Sequence, residues 1–320
     1  MIRVAVIGAR GYVGAELLGL LDSHPQVEIL AASSRAHAGK PVAAVIDGFS
    51  NTALNFTALE PSAVADLQLD ACFLALPNGL AANFVAAIDA TSAATTIIDL
   101  SADYRFDNAW VYGQPERLGD IIIGSKHIAN PGCYATGAQL GLAPIVAQLA
   151  EPPAIFGISG YSGAGTTPSR NNDSNILKNN IIPYKLTDHI HEREVSRTLS
   201  QQVRFSPHVA SFFRGIQLTI SGKLKQPTTA SELEKQFQNY YQKSPLVNIS
   251  TAVPEVRDAA GKHSLQIGGF TVSEQEPGHF VLVVTLDNLL KGAATQALQN
   301  MNLALSLEYK LNEFDGINYD

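Results

Sequence analysis

Short runs of β-branched and apolar residues alternate with amphipathic segments over the first 100 residues of the chain. The run at Ile2–Ile7 predicts a buried strand, and residues 15–23 predict a helix because their leucines fall on one face. Further strands are predicted at residues 27–32, 71–76 and 96–100, with a second helix at residues 80–90. Strands that alternate with helices indicate a parallel sheet with right-handed crossovers.

The pattern changes after about Asn130, where the apolar runs become longer and alternate with polar residues. Strands are predicted at Ala154–Gly160, 217–224, 265–271 and His279–Leu286. Helices are predicted after Cys133, from about His191, at Ala230–Tyr241 and at residues 289–306. The last of these follows Asp287-Asn288, which is a candidate N-cap. Because regular helices do not separate these strands, we expect a mostly antiparallel second sheet.

Composition narrows the class of protein. At about 150 residues per domain, 320 residues suggest two domains, and an apolar fraction of 46% excludes wholesale disorder. The net charge of −7, without Lys/Arg runs, argues against nucleic-acid binding. No apolar run reaches the roughly 18 residues of a membrane span, and no signal peptide is recognised. Two cysteines exclude a disulfide scaffold, so we expect a cytoplasmic location.

Glycines lie between the first predicted strand and the first helix, at Gly8, Gly11 and Gly14. They permit a tight turn and let a phosphate approach the helix N-terminus. The spacing is G-x-x-G-x-x-G rather than the commoner G-x-G-x-x-G, but its position between strand and helix favours a dinucleotide site. The alternative is a tight turn that binds no ligand. The other loop residues predicted to contact the cofactor are Arg10, Tyr12 and Val13.

The residues at the end of the second predicted strand indicate whether the ribose of the cofactor carries a 2′-hydroxyl or a 2′-phosphate. Enzymes that use NAD usually place a carboxylate there, about 20 residues beyond the glycines. This chain has Ser33, Ser34 and Arg35 instead. Small hydroxyls and a guanidinium suit a 2′-phosphate, which predicts NADP(H) as the cofactor. The alternative is that Arg35 is a solvated surface arginine.

The two cysteines lie in different contexts. Cys72 falls inside an apolar strand and is expected to be a core residue. Cys133 follows Asn130-Pro-Gly and immediately precedes an apolar helical run. A thiol at a helix N-terminus has a lowered pKa and is a candidate nucleophile, although a structural role is the alternative.

The chain has eight histidines that could act as a base for this thiol, and most of them are isolated. His189-Ile-His191-Glu-Arg-Glu194 is the exception, with two imidazoles and two carboxylates within six residues. A metal site made by both histidines and Cys133 is disfavoured because no further ligand pair accompanies them. A thiolate, a histidine and NADPH together suggest hydride transfer at a thiohemiacetal or thioester.

The chain resembles the N-acetyl-γ-glutamyl-phosphate reductase family of arginine biosynthesis. The matching segments run in family order, at residues 8–14, 99–105, 130–136, 160–166, 184–194, 212–215 and 287–296. The resemblance implies a fold similar to aspartate-semialdehyde dehydrogenase and phosphorylating glyceraldehyde-3-phosphate dehydrogenase. It is an α/β fold with a Rossmann-type NADP-binding domain at residues 1–132, completed by a C-terminal helix in 287–320. Residues 133–286 would form an α+β catalytic and oligomerisation domain.

The same resemblance implies roles for individual residues. Cys133 would attack N-acetyl-L-glutamyl 5-phosphate, and NADPH would reduce the thioester to the semialdehyde while His189 handles the protons. The implied substrate-binding residues are Arg105, His191 and Arg214. Further cofactor contacts are expected at Pro77, Ser162, Gly163 and Asn288. The expected partners are a small-molecule substrate and further copies of the chain, as a dimer or tetramer, with no nucleic acid and no membrane.

The sequence leaves several alternatives open. Many bacterial members of the family have H-R-H-x-P-E at residues 189–194. The departure, together with the segment Ala32-Ser-Ser-Arg35, resembles the reductase part of fungal bifunctional enzymes. Which histidine acts in acid–base catalysis stays open, with His189 favoured. The rival functions are a carrier-linked aminoadipyl or glutamyl phosphate reductase, an aspartate-semialdehyde dehydrogenase and a nucleotide-sensing regulator. Aspartate-semialdehyde dehydrogenases usually have Asn after the cysteine, where this chain has Tyr134.

Overall fold

The computed structural model of the protein describes residues 1–92 and 94–308, which divide into two compact units. Among the described residues, the first unit holds Met1–Gly132 together with residues 293–308, and the second holds Cys133–Gly292. The part of the predicted terminal helix that falls in residues 309–320 lies outside the described residues. Assigning cofactor binding to the first unit and catalysis to the second stays a prediction.

The first unit is built on a seven-stranded sheet in which every pair of neighbours is parallel. Its strands are β1 (Ile2–Ile7), β2 (Val27–Ser33), β3 (Phe56–Thr57), β4 (Ala71–Leu74), β5 (Thr96–Asp99), β6 (Val111–Tyr112) and β7 (His127–Ala129). Their order is β3-β2-β1-β4-β5-β7-β6, so the chain reverses direction across the sheet between β1 and β4. Doubly wound sheets bind ligands in the crevice at such a reversal, beyond the carboxyl ends of the strands.

Helices of the first unit connect these parallel strands. They are α1 (Tyr12–Asp22), α2 (Pro61–Ala65), α3 (Ala82–Thr91) and α4 (Pro115–Ile122). The helix predicted at residues 15–23 therefore begins three residues earlier, directly after Gly11. The strands are apolar on both faces: Val4, Ala5 and Val6 of β1 are buried without exception, as a sheet covered on both sides requires.

The second unit holds a seven-stranded mixed sheet. Its strands are β8 (Ala154–Gly160), β9 (Ile181–Pro183), β10 (Arg204–Ala210), β11 (Ile216–Lys223), β12 (Val247–Ile249), β13 (Leu265–Val272) and β14 (His279–Leu286). The order is β12-β13-β14-β11-β8-β10-β9. Only the β12–β13 and β8–β10 pairs are parallel, which confirms the predicted mostly antiparallel sheet.

One face of this second sheet is packed and the other is open. The helices of the unit are α5 (Cys133–Leu142), α6 (Ser174–Leu177), α7 (Ile190–Leu199), α8 (Ala230–Tyr241) and α9 (Val256–Ala259). Helix α5 packs on β11 and β14, and α8 packs on β13, around a core that includes Leu218, Val284 and Phe237. On the opposite face Phe156 is 43% exposed. Along β11, buried residues alternate with half-buried ones, as expected for a sheet covered on one side.

Asp287 caps the final helical segment, as predicted, because its Oδ1 accepts hydrogen bonds from the N–H groups of Leu289 and Leu290. The segment opens with a π-helical turn, Leu290–Ala294, and continues as α10 (Thr295–Ala304) in the first unit. Four short 3₁₀ segments complete the described structure, at Val42–Ala44, Ala143–Gln148, Tyr161–Ala164 and Arg170–Asn172. Within residues 1–92 and 94–308 no helix is long and apolar enough to cross a bilayer.

Candidate active site

The glycine loop joins β1 to α1 in a turn that tolerates no side chain at two positions. Gly8 has a φ of +89°, and a Cβ there would lie 2.2 Å from the carbonyl oxygen of Ala75. A Cβ on Gly14 would lie 2.6 Å from the carbonyl oxygen of Gly8. Gly11 is the N-cap of α1, and no side chain of the described residues caps that helix end. The loop and the N-terminus of α1 therefore fit the diphosphate of a dinucleotide.

The two serines at the end of β2 brace this loop. The carbonyl oxygen of Ser33 accepts hydrogen bonds from the N–H groups of Gly8 and Ala9, at 3.1 and 2.9 Å. The hydroxyl of Ser33 accepts from the N–H of Leu59 at 3.2 Å. The hydroxyl of Ser34 accepts from a backbone N–H in the same way, and both serines are buried. Their hydroxyls thus stabilise the backbone around the glycine loop, and they are also candidates to bind the ribose of the cofactor.

Arg35 follows β2, and its guanidinium faces solvent. Its Nη2 lies 3.1 Å from Oε1 of Glu60, and the side chains are 81% and 64% exposed. Arg10 is also exposed, whereas Tyr12 and Val13 are half-buried in the first turn of α1. Glu60, which follows β3, was not predicted as a site residue, because a strand of two residues leaves no periodic pattern.

The loop after β4 is held by the segment that follows β5. Pro77 is exposed at its start. The carboxylate of Asp103 accepts hydrogen bonds from the N–H groups of Gly79 and Ala81, at 2.7 and 3.3 Å. The side chain of Asn78 accepts from the N–H of Ala102 at 3.0 Å. Asp103 was not among the predicted site residues, although it lies in the matched segment 99–105.

Arg105 binds the backbone at the ends of two strands. Its Nε donates to the carbonyl oxygen of Asn130 at 2.9 Å, and its Nη2 donates to that of Leu100 at 3.0 Å. The Asn130 side chain donates to the carbonyl oxygen of Ala293 and accepts from the amide of Asn300. This network fixes Asn130, three residues before Cys133, and gives Arg105 a structural function whatever else it binds.

Cys133 is the first residue of α5, where the helix dipole favours a thiolate. It is half-buried and packs against Gly292, on which a Cβ would lie only 2.8 Å from the Cβ of Cys133. Cys72 is fully buried in β4, and burial raises the pKa of its thiol to about 12. The two thiols therefore differ in environment as their sequence contexts predicted.

His189 caps helix α7, as expected from a helix that starts near His191. Its Nδ1 accepts a hydrogen bond from the N–H of His191 at 3.1 Å. The ring is 5% exposed, and burial, followed by the charge of Lys185, lowers its pKa to about 4. The ring centroids of Tyr184 and Phe205 lie 5.6 and 5.3 Å away.

Two tyrosines lie beside this histidine. Tyr134 follows Cys133 in α5, and its ring lies 6.4 Å from that of His189 and 5.9 Å from that of His191. Its hydroxyl donates to the carbonyl oxygen of His208 at 2.6 Å. Burial raises the pKa of Tyr184, and the charge of Cys133 raises it further. Burial likewise raises the pKa of Tyr134. Neither tyrosine was a predicted site residue, although Tyr184 opens the matched segment 184–194.

Arg214, Ser162, Gly163 and Asn288 are the remaining predicted residues of the second unit. Arg214 is bonded to Asp287, and Asn288 is bonded to Ser162. Arg214 forms a buried ion pair with Asp287. Asn288 donates to the hydroxyl of Ser162 at 2.9 Å and accepts from the N–H of Gly215 at 2.7 Å. A Cβ on Gly163 would lie 3.8 Å from the amide nitrogen of Asn288, so Ser162, Gly163 and Asn288 are neighbours.

Within residues 1–92 and 94–308, no three His, Cys, Asp or Glu side chains are grouped so that they could hold a metal ion.

Two family models match the chain. One, described as a semialdehyde dehydrogenase NAD binding domain, matches residues 3–122. The other, described as a semialdehyde dehydrogenase dimerisation domain, matches residues 133–288. The matches correspond closely to the two units of the structure.

Named relatives are similar over nearly the whole chain. An N-acetyl-gamma-glutamyl-phosphate reductase of Xanthomonas euvesicatoria pv. vesicatoria is 52% identical over 304 residues, which cover 94% of this chain and 95% of that protein. A protein of the same name from Xylella fastidiosa (strain M23) is 52% identical over 307 residues, covering 95% and 93%.

Solved structures share the fold at lower identity. Aspartate semialdehyde dehydrogenase II from Vibrio cholerae, complexed with ASA, superposes with a TM-score of 0.78 at 20% identity, covering 97% of this chain and 99% of that one. The NADP complex of the Candida albicans aspartate semialdehyde dehydrogenase gives 0.74 at 16% identity, covering 95% and 98%.

Proposed function

The chain belongs to the N-acetyl-γ-glutamyl-phosphate reductase family, and we propose that it catalyses the reduction for which that family is named, in arginine biosynthesis. The substrate is N-acetyl-L-glutamyl 5-phosphate, and the products are the 5-semialdehyde and phosphate. The observation that carries this proposal is Cys133 at the start of α5, in a chain 52% identical to reductases of that name. Cys133 supplies the nucleophile. The next residue of α5, Tyr134, packs against the ring of His189.

The chemistry starts from the Cys133 thiolate. Its sulfur bonds to the acyl carbon of the substrate, the bond from that carbon to the phosphate oxygen breaks, and phosphate leaves. NADPH, when bound, supplies the hydride that reduces the resulting thioester. The oxyanion of the thiohemiacetal then re-forms a carbonyl and expels the thiolate, which restores the enzyme. The NAD(P)-binding loop would hold the cofactor diphosphate, with Gly8 and Gly14 allowing its close approach.

NADPH is preferred over NADH in this proposal. Arg35 is the exposed cation at the end of β2, and the described residues offer no carboxylate on β2 itself at the position that usually binds a ribose 2′-hydroxyl in NAD enzymes. Pro77, Arg10, Tyr12 and Val13 are further candidates for cofactor contacts, as are Ser162 and Asn288.

The substrate contacts are proposed at His191, Arg105 and Arg214. Both arginines already donate to protein acceptors, Arg105 to carbonyl oxygens and Arg214 to Asp287. A guanidinium has five N–H groups, so an anion of the substrate is compatible with these bonds. Their structural bonds would hold each guanidinium in one orientation for that anion.

The experiment is a comparison of substrates in the oxidative direction. Purified enzyme should reduce NADP⁺ with N-acetylglutamate semialdehyde only when phosphate or arsenate is present, and should do so far more slowly with aspartate semialdehyde. Activity with the second substrate alone would favour an aspartate-semialdehyde dehydrogenase. Activity only with a carrier-linked substrate would favour a carrier-dependent reductase. No activity with any of these substrates would favour a nucleotide-sensing regulator.

The open face of the second sheet supports assembly into a homo-oligomer. Phe156 is 43% exposed there, and the family model over residues 133–288 is described as a dimerisation domain. Phe156→Lys should lower the mass measured by light scattering, whereas Tyr240→Lys on the exposed side of α8 should not. An unchanged mass for Phe156→Lys would contradict the proposed interface. The likeness to fungal bifunctional enzymes and the cytoplasmic location stay predictions.

A further inference from the structure

We propose that His189 serves the reaction as a neutral hydrogen-bond donor, through Nε2–H, to the acyl oxygen bound at Cys133, and that helix α7 fixes the tautomer this requires. In this role the imidazole stabilises an oxyanion and does not take a proton from the thiol. The inference rests on the proposed function, because it assigns a role within that reaction.

The tautomer follows from the helix cap. Nδ1 of His189 accepts a hydrogen bond from the N–H of His191 at 3.1 Å, so this nitrogen uses its lone pair on the backbone. A neutral imidazole carries its single proton on the other nitrogen, which leaves Nε2–H as a donor. Moving the proton to Nδ1 would break the cap and leave a helix N–H without an acceptor. The first turn of α7 therefore selects the donor form.

The surroundings of the ring disfavour the cation. Tyr134 of α5 and Tyr184, which follows β9, lie against it, and burial raises the pKa of both, so they remain protonated at neutral pH. His191 of α7 and the apolar ring of Phe205 on β10 complete the contacts. Lys185 is the charged group that acts on the ring, and its positive charge opposes protonation. On α7 the carboxylate of Glu192 accepts a hydrogen bond from the N–H of Phe205 at 2.8 Å, so this carboxylate already has a backbone partner.

The proton balance of the reduction does not need a base at this position. The thiolate at the start of α5 attacks without losing a proton, and collapse of the thiohemiacetal oxyanion returns the thiolate directly. The one proton consumed overall is taken up from solvent and ends on the departing phosphate. What both tetrahedral steps do need is a donor for the negative oxygen, and a preorganised neutral donor meets that need.

The tautomer is measured directly by NMR on the whole protein labelled with ¹⁵N-histidine. In long-range ¹H–¹⁵N spectra at neutral pH, the His189 ring should show a protonated Nε2 and an unprotonated Nδ1. Loss of the resonance in His189→Asn assigns it. The pattern should persist from about pH 8 to pH 5, because the ring protonates near pH 4. A proton on Nδ1, or a protonation midpoint between pH 6 and 7, would overturn the inference.

Two substitutions separate a donor from a base. Asn at this position can still cap α7 with its short amide but has no distal N–H, whereas Gln places an amide N–H near the position of Nε2. We expect His189→Asn to lower kcat about 10²- to 10³-fold, the usual effect of losing one oxyanion donor. His189→Gln should retain at least about tenfold more activity than His189→Asn. Since neither amide can act as a base, equal losses would contradict the donor role.

Further variants distinguish failure of this inference from failure of the proposed function. His279→Gln, on β14, is the matched control and should retain wild-type kinetics. Cys133→Ser should be inactive whatever His189 does. If Cys133→Ser stays active, the covalent reaction and with it the role of His189 are wrong. If Cys133→Ser is inactive and the spectra show a cationic or Nδ1-protonated ring, only the inference fails.

Discussion

The guanidinium of Arg214 donates two hydrogen bonds to the carboxylate of Asp287, from Nε at 2.6 Å and from Nη2 at 3.2 Å. The same carboxylate accepts backbone N–H groups from Gly261, Leu289 and Leu290. Asp287 is fully buried and Arg214 is 17% exposed. The carboxylate of Asp287 thus connects Arg214, which precedes β11, with Gly261, which follows α9, and with the start of the final helical segment.

Removing the cation of this pair should cost stability. Arg214→Met leaves a buried carboxylate without its counter-charge, and we expect the free energy of unfolding to fall by about 3–5 kcal/mol. Denaturant unfolding followed by circular dichroism measures it. Arg257→Met, in a pair with Glu255 where the arginine is 83% exposed, is the matched control and should leave the midpoint unchanged. A rise in substrate KM without loss of stability would instead indicate that Arg214 acts mainly on the substrate.

Gly292 should be required for the position of the nucleophile. Gly292→Ala places a Cβ 2.8 Å from the Cβ of Cys133, so the thiol has to move. Because small misplacements of a reacting group are costly, we expect kcat to fall about 10- to 100-fold. Gly19→Ala in α1 places its Cβ more than 4 Å from every atom beyond its chain neighbours and the local helix backbone, so it should keep full activity and melt no lower than wild type. Steady-state kinetics and the rate of Cys133 alkylation test both variants.

The two cysteines should respond differently to serine. Cys133→Ser should retain cofactor binding and lose several powers of ten in kcat, on the order of 4 kcal/mol or more, since a hydroxyl at this site is a poor nucleophile. Cys72→Ser buries a hydroxyl in β4 and should lower stability by about 1–3 kcal/mol with nearly normal kinetics. Activity of Cys133→Ser within about tenfold of wild type would contradict the covalent mechanism.

Arg35 and Glu60 should set the cofactor preference together. Arg35→Ala should weaken NADPH binding and barely change NADH binding, lowering the preference about 10- to 100-fold, the value of a charge-assisted bond to phosphate. Glu60→Gln removes the competing carboxylate at 3.1 Å and should tighten NADPH binding without affecting NADH. Calorimetric titration gives both dissociation constants. Lys126→Ala, an exposed cation bonded to the carbonyl of Ala94, should change neither, and equal weakening of both cofactors by Arg35→Ala would indicate a structural role.

The buried histidine should make stability depend on pH. The pKa of His189 is about 4 in the folded chain, against about 6.5 for an exposed imidazole. Between these values the unfolded chain binds more protons, so the stabilisation is complete above about pH 6.5 and is lost as the pH falls. From about pH 7 to pH 5, the wild type should lose about 2 kcal/mol more than His189→Asn in urea unfolding. Parallel pH profiles of the two proteins would contradict a buried neutral ring.

The strands and helices with a long enough pattern were predictable from the chain alone. Ala154–Gly160, His279–Leu286 and Ala230–Tyr241 have the predicted bounds. Strands β3, β6, β7, β9 and β12 have two or three residues each, too few to show a period, and were missed. Strand β10 was also missed. It contains Pro207, which is unusual inside a sheet, and its pairing with β8 comes from residues about 50 positions away.

In the site, the sequence by itself determined the features that depend only on residues adjacent in the chain, such as where a helix begins. Cys133 begins α5 and His189 precedes α7 because helix starts and caps are local features. Only the tertiary structure decided the ionisation and the partners of these groups. The pKa of His189 is lowered because rings from α5, β10 and the segment after β9 bury it, and Arg214 meets a carboxylate 73 residues away. Desolvation and pairing depend on which distant segments the sheets bring together, and no local pattern encodes that.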